Sequence, residues 1–175
     1  MLAVLNQREH LTMFFKKKIS VEEYCQKNLA TLLSNEHEET WEAIRRHCND
    51  NCLNQLDAPL YYSHLRAIFI ELLLIAIAKN CRGNASLNAH IFISAYLKDH
   101  GYSDIGEMMH EYSQAFASSI TDGVEAMTRY FAKINCIQLQ QRTIEQLLAE
   151  FYAVLKVFYN DFKSIKLADE GIKVH

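Results

Sequence analysis

The sequence predicts an all-α fold, a single-domain bundle of about six or seven helices. The first observation is that the 175 residues include only five glycines and one proline. Sheet folds need these residues in their frequent turns, so their scarcity favours long helices with short connections. The second is that apolar residues recur at helical spacing through most of the chain. The third is the length, which suits one domain that buries its own core.

Residues 1–19 are predicted to be an N-terminal extension or a short peripheral helix. The first well-marked helix begins at Ser20, because Glu23 follows three residues later as in a capping box. Asn35 and Glu38 repeat this pattern before a second helix. The first helix has an apolar face of Val21, Tyr24, Cys25, Leu29, Leu32 and Leu33, and the second has a narrower stripe of His37, Trp41, Ile44 and Cys48. The stretch that follows, up to Pro59, is the most loop-like in the chain.

The third helix is predicted over about residues 59–81, with Asp57 and Pro59 at its start and Gly83 as a C-terminal cap. It is apolar on nearly all sides, which is typical of a helix surrounded by other helices. The sequence therefore places it at the centre of the bundle. A fourth helix follows over about residues 87–100 and ends at Gly101.

The segment from residue 104 to residue 135 fits one long helix or two shorter ones. Asp104 and Glu107 form a capping box at its start, and apolar or small residues keep helical spacing throughout. Asp122 and Glu125 form a second box in the middle, which favours a break near Thr121. We therefore expect two helices, or one kinked helix.

The last helix, over about residues 139–166, has the clearest pattern. Its apolar residues alternate four and three apart for three heptads, as in a coiled coil. These are Ile144, Leu148, Phe151, Leu155, Phe158, Phe162 and Ile165, and the stripe is widened by Leu147, Tyr152, Val154 and Tyr159. So broad a stripe indicates either a central position in the bundle or an oligomer interface. The core domain is predicted to cover residues 20–166, with a frayed tail over residues 167–175.

One charged residue, Glu71, lies within the apolar third helix. Its neighbours one turn away are all apolar, and an unpaired buried carboxylate costs several kcal/mol. Glu71 is therefore expected to pair, to take up a proton or to bind a cation. The interpretation that we favour is a structural ion pair with Arg129, Lys133 or a tyrosine of another helix.

The alternative is a metal site formed by His64, Glu71, Glu107 and His110. His64 lies near the face of Glu71, and Glu107 and His110 form an E-x-x-H step, as in dimetal bundles. The chain has only one such step, so a single iron, manganese or zinc ion is the most that this set predicts. Capping already explains Glu107. A second possible cluster, His47, Cys48 and Cys52, has zinc-like spacing, but Cys48 also continues the stripe of the second helix.

Composition and motifs restrict the function. The net charge of −3 gives no basic surface for nucleic acid, and no signal peptide or membrane-spanning segment is predicted. The five cysteines have no disulfide pattern, which favours reduced thiols in the cytoplasm. No nucleophile elbow or phosphate-binding glycine loop is present.

The leading hypothesis is a non-catalytic cytoplasmic interaction module, a homodimer that self-associates through its C-terminal helix or binds a protein partner. No cofactor is expected. The alternative is a helical bundle that binds the metal above or a small apolar ligand. Such a ligand would lie among aromatic residues: Tyr61, Tyr62, Phe69, Phe92, Tyr96, Phe151, Phe158 and Phe162.

Overall fold

The computed structural model describes residues 16–47, 53 and 56–168. Within them lie seven α-helices and one small parallel sheet of two strands. In chain order the elements are β1 (Lys17–Ser20), α1 (Val21–Leu33), α2 (Glu38–His47), α3 (Ala58–Asn80), α4 (Ala85–Asp99), α5 (Ser103–Ala117), α6 (Gly123–Ile134), α7 (Gln141–Ser164) and β2 (Ile165–Ala168). A short 3-10 turn, Asn35–His37, precedes α2. The all-α prediction is confirmed.

Helix α3 is the centre of the bundle. It packs against α1, α2, α4, α5 and α7, and every residue from Ala67 to Ile77 is buried. Among the described residues it is also the one helix long and apolar enough to cross a membrane, and 78% of that apolar stretch is buried inside the bundle. A core helix shows the same two properties. The predicted enclosure of this helix is therefore confirmed, and Glu71 lies inside it.

The structure confirms two of the predicted side-chain caps. The Ser20 hydroxyl accepts a hydrogen bond from the Glu23 amide at 3.0 Å. The Asp122 carboxylate accepts from the amides of Val124 and Glu125, so α6 begins there and residues 104–135 form two helices. Gly123 allows this close turn, because a Cβ atom at that position would overlap the ring of Phe116 at the end of α5.

Two other predicted capping boxes do not form. Asn35 opens the 3-10 turn rather than a helix, and α2 begins at Glu38. Helix α5 begins at Ser103, before Asp104, and has no side-chain cap. Asp57 and Pro59 do start α3 as predicted, Asp57 at the N-cap and Pro59 in the first turn, although the Asp57 side chain makes no capping hydrogen bond. Local sequence marks where a helix can start, but the packing of neighbouring elements selects the turn that becomes helical.

The two strands were not predicted. β1 lies in the expected N-terminal extension, and it pairs in parallel with β2, where the last helix and the tail were expected. Leu167 and Ala168 are buried rather than frayed, and Ile165 is extended rather than helical. The pairing joins opposite ends of the described chain, so no local periodicity could indicate it. The remaining parts of the predicted extension and tail, residues 1–15 and 169–175, lie outside the described residues.

Most of the broad stripe on α7 is used inside the bundle. Its buried members are Ile144, Leu147, Phe151, Leu155, Phe158 and Phe162, and its half-buried members are Leu148, Val154 and Tyr159. Tyr152 and, on another side of α7, Val157 remain exposed. The predicted central position of α7 in the bundle thus accounts for most of the stripe.

Candidate functional site

The Glu71 carboxylate lies in the interior between α3 and α5. Its residue is 5% exposed, and Ser113 of α5 hydrogen-bonds to it. The other oxygen, Oε2, has no hydrogen-bond partner within the described part of the chain. Burial raises the pKa of Glu71 to about 7, and the hydrogen bond from Ser113 opposes this only in part. Burial therefore favours the protonated, neutral form of this carboxyl group more than it would be favoured in water.

The predicted ion pair of Glu71 with α6 is wrong. Arg129 lies at the surface and bonds Glu125, one turn earlier on α6. Lys133 is also exposed. The basic residues of α6 therefore face water, whereas Glu71 faces a serine hydroxyl. Burial thus favours a protonated Glu71 in place of an ion pair.

His64 is buried two helical turns before Glu71. Its Nδ1 shares a hydrogen bond with the hydroxyl of Tyr112 at 3.0 Å, and its side chain also bonds Asn135. The His64 ring meets the rings of Tyr112 and Phe131 edge to face. Burial lowers the pKa of His64 below its usual value, which favours the neutral imidazole. We call the polar side chains between α3 and α5 the polar seam, and they are His64, Glu71, Tyr112 and Ser113.

The structure does not bring Glu107 and His110 to this seam. Both are exposed on the outer side of α5, beside α4, and His110 bonds Gln114. Tyr112 and Ser113 project from other sides of the same helix. No three His, Cys, Asp or Glu side chains among the described residues are arranged to hold a metal ion. The predicted metal site of His64, Glu71, Glu107 and His110 stays a prediction, and the structure does not bring these four side chains to one point. The second predicted cluster cannot be described in the same way, because Cys48, Cys52 and the side chain of His47 lie outside the described residues.

A surface groove beside α7 is the clearest concave apolar feature. Its cavity has a volume of about 300 Å³. The walls are Leu32, Trp41, Phe69, Val154, Val157 and Phe158, and the polar rim is Asn28, Thr31, His37 and Glu150. We call these residues the α7 groove. The predicted aromatic pocket contributes only Phe69 and Phe158 to it.

Packed rings hold the wall of the α7 groove in place. Trp41 meets Phe69 edge to face at 5.7 Å between ring centres, and His37 stacks on Trp41 at 5.8 Å. The guanidinium of Arg66 lies 5.6 Å from the Trp41 ring and also bonds Glu38 at 2.9 Å. Trp41 is itself buried. The wall of the groove is therefore held by packing within the chain itself.

On the other flank of α7 from the groove lies the α5–α6 connection, which contains an exposed isoleucine. Tyr152 donates a hydrogen bond to the carboxylate of Asp122, which ties the α5–α6 connection to α7. This bond lowers the pKa of Asp122. Ile120, in the same connection, is fully exposed. Sequence reasoning treated this segment only as helix capping, although an isoleucine among serine, threonine and aspartate is an unusual loop residue.

No protein-family model, curated protein or solved structure matches this chain. Its own geometry is thus the basis for any assignment of function.

Proposed function

We propose that the chain is a non-catalytic helical interaction module of the cytoplasm that forms a homodimer along α7. The observation that carries the proposal is the pairing of the α7 groove on one flank of α7 with exposed Ile120 beside the other flank. The free thiols of Cys25, Cys81 and Cys136 support a reducing compartment.

Helix geometry puts Tyr152, which holds the Asp122 segment next to Ile120, at nearly the same height as the groove. Glu150 and Val154 line the groove and Tyr152, between them, holds the Asp122 segment. Positions two residues apart differ by about 3 Å along the axis. At 100° per residue, Tyr152 projects more than 150° away from both of its groove-lining neighbours. The groove and the isoleucine therefore lie on opposite sides of one helix.

A twofold axis parallel to α7 joins these features reciprocally. Such an axis keeps the height along the helix and exchanges left and right flanks, so each Ile120 faces the groove of the other copy. The contact is closed and symmetric, as in most homodimers. The outward face of α7 between the flanks has small exposed side chains at Ala149 and Ala153, which permit close approach.

The energy of this contact is dominated by isoleucine burial. Burying one isoleucine side chain contributes about 1.5–3 kcal/mol. A reciprocal dimer buries two isoleucine side chains, so a substitution of Ile120 lowers the free energy of dimerisation through both contacts. Ile120→Ser is expected to weaken dimerisation by about 3 kcal/mol or more, which corresponds to about a hundredfold change in the dissociation constant.

A matched pair of variants tests the interface. Val157 lines the groove and is 60% exposed, whereas Leu87 on α4 is 59% exposed and lies outside it. Both tolerate aspartate in the folded monomer equally well, since both already face water. In sedimentation equilibrium, Val157→Asp and Ile120→Ser should shift the mass towards 20.3 kDa, while Leu87→Asp stays at twice that mass.

Circular dichroism at the same concentrations checks that all three variants are folded. A wild-type chain that remains monomeric at high micromolar concentration would overturn the proposal. So would dissociation by Leu87→Asp with an intact dimer in Val157→Asp, because that result would move the interface to α4.

A further inference from the structure

The polar seam contains a carboxyl group that its surroundings satisfy only in part. Glu71 is 5% exposed, Ser113 hydrogen-bonds to it, and its Oε2 atom has no hydrogen-bond partner among the described residues. A neutral carboxyl group tolerates such a site, whereas an ionised one needs water, several hydrogen-bond donors or a cation. The two protonation states of Glu71 therefore make different demands on the same contact between α3 and α5.

The other members of the polar seam supply no counter-charge. Its two further titratable groups are His64 and Tyr112, and burial favours the neutral form of both, because it lowers the pKa of His64 and raises the pKa of Tyr112. The causes that shift the pKa of Glu71 are burial and the Ser113 hydrogen bond. Within the described part of the chain, no charged side chain of α1, α2, α4, α5 or α7 contributes to that shift. An ionised Glu71 must therefore be solvated by water.

Helix α5, rather than α3, is the element of this contact that can move. Only three of its 15 residues are buried, namely Ile105, Met109 and Tyr112, whereas α3 is enclosed by five helices. Gly101, just before α5, has a φ of +79°, and a connection over residues 118–122 follows it. Segments with few buried apolar contacts open at the lowest free-energy cost. Water therefore reaches Glu71 most readily through a displacement of α5.

We propose that the α3–α5 contact is controlled by a proton: it is closed while Glu71 is neutral, and ionisation of Glu71 admits water and displaces α5. In this step the O–H bond of the carboxyl group breaks and the proton passes to the entering water. Ser113 and Tyr112 move with α5, so their hydrogen bonds to Glu71 and His64 are lost together. The protein thereby responds to pH through one helix and not through unfolding of the whole chain.

Native-state hydrogen exchange at pH 6 and pH 8, over a series of low urea concentrations, tests this inference. The α5 amides of Tyr112 and Ser113 should exchange through an opening that depends little on urea, because this opening exposes little surface. The α7 amides of Phe151 and Leu155 should exchange only by global unfolding, which depends strongly on urea.

The pH dependence of the α5 opening identifies its cause. Each exchange rate is divided by the rate of an unstructured peptide at the same pH. With a pKa of about 7 when buried and 4.5 in water, Glu71 should increase the opening constant about tenfold from pH 6 to pH 8, relative to Glu71→Gln. His64 is present in both chains, so its own titration cancels in this ratio. Glu107→Gln, at an exposed position of α5, should keep the wild-type response.

Two results of this experiment would overturn the proposal. One is that the α5 and α7 amides exchange with the same free energy of opening and the same urea dependence at pH 8, because ionisation would then cause no local opening. The other is an α5 opening that responds equally to pH in the wild type and in Glu71→Gln, because the carboxyl group would then not control it.

The displacement of α5 extends to the dimer contact, and this step rests on the proposed function. The connection that carries Ile120 follows α5 directly. Sedimentation equilibrium should therefore show a weaker dimer at pH 8 than at pH 6 in the wild type, and no such difference in Glu71→Gln. A chain that is monomeric at both pH values while α5 opens locally would overturn the dimer and support the proton-controlled contact. A dimer that is unchanged while α5 opens would overturn only the link between the two.

Discussion

Glu71→Gln is expected to raise the free energy of unfolding by about 3 kcal/mol at pH 8 and to leave it nearly unchanged at pH 4. Burial raises the pKa of Glu71 from 4.5 to about 7 in the folded chain. The folded state therefore holds this proton more tightly than the unfolded state. The folded chain has its full free energy of unfolding while Glu71 is protonated in both states, below pH 4.5. It loses part of this free energy as the pH rises through about 7, because the buried carboxyl group must then ionise. Glutamine is neutral across this pH range, so the variant does not lose free energy of unfolding as the pH rises.

Urea unfolding of the wild type and the variant at pH values from 4 to 8 measures this difference. His64 titrates in the opposite sense, because burial lowers its pKa and its contribution is lost as the pH falls. Since His64 is present in both chains, its contribution largely cancels in the difference. Glu107→Gln is the matched control, because Glu107 is exposed and should show no pH-dependent difference. A constant difference for Glu71→Gln across this pH range would mean that the carboxylate is hydrated in the folded chain.

Phe151→Ala is expected to lower the free energy of unfolding by about 3–5 kcal/mol. Phe151 is fully buried on α7, and its ring meets the ring of Phe69 of α3 edge to face at 5.9 Å between centres. Alanine would leave a cavity between the two longest helices of the described chain, α3 and α7. The lost ring contacts and the cavity both contribute to the cost.

Leu87→Ala is the control for this experiment, because Leu87 is exposed and should change stability by less than about 0.5 kcal/mol. All chains need the same low concentration, since dimerisation adds a concentration-dependent term to unfolding. A loss below about 1 kcal/mol for Phe151→Ala would place this ring at a surface and contradict the central position of α7.

The sequence was sufficient for the elements that depend on one-dimensional periodicity. An all-round apolar stretch predicted that α3 is enclosed, and the heptad stripe predicted α7 to within two residues at each end. Capping chemistry located the start of α1 at Ser20 and of α6 at Asp122, because those bonds form within four residues. Capping bonds and helical periodicity depend on residues that are close together in the sequence, so the sequence alone can predict them.

Contacts between distant segments were less accessible. An E-x-x-H step shows that Glu107 and His110 share one side of α5, but it does not show that this side faces α4 and water. For the same reason Arg129 was a plausible partner of Glu71, whereas the rotation of α5 places Ser113 there. The α7 groove combines residues of four helices, so no single stretch of sequence contains it.

The most direct test of the dimer is to mix two variants that cannot self-associate. Ile120→Ser keeps the groove and Val157→Asp keeps the isoleucine, so a mixed pair regains one of the two reciprocal contacts. Sedimentation equilibrium of the equimolar mixture should show a species at twice 20.3 kDa that neither variant forms alone at the same concentration. A mixture that stays at the monomer mass would contradict the contact between Ile120 and the α7 groove.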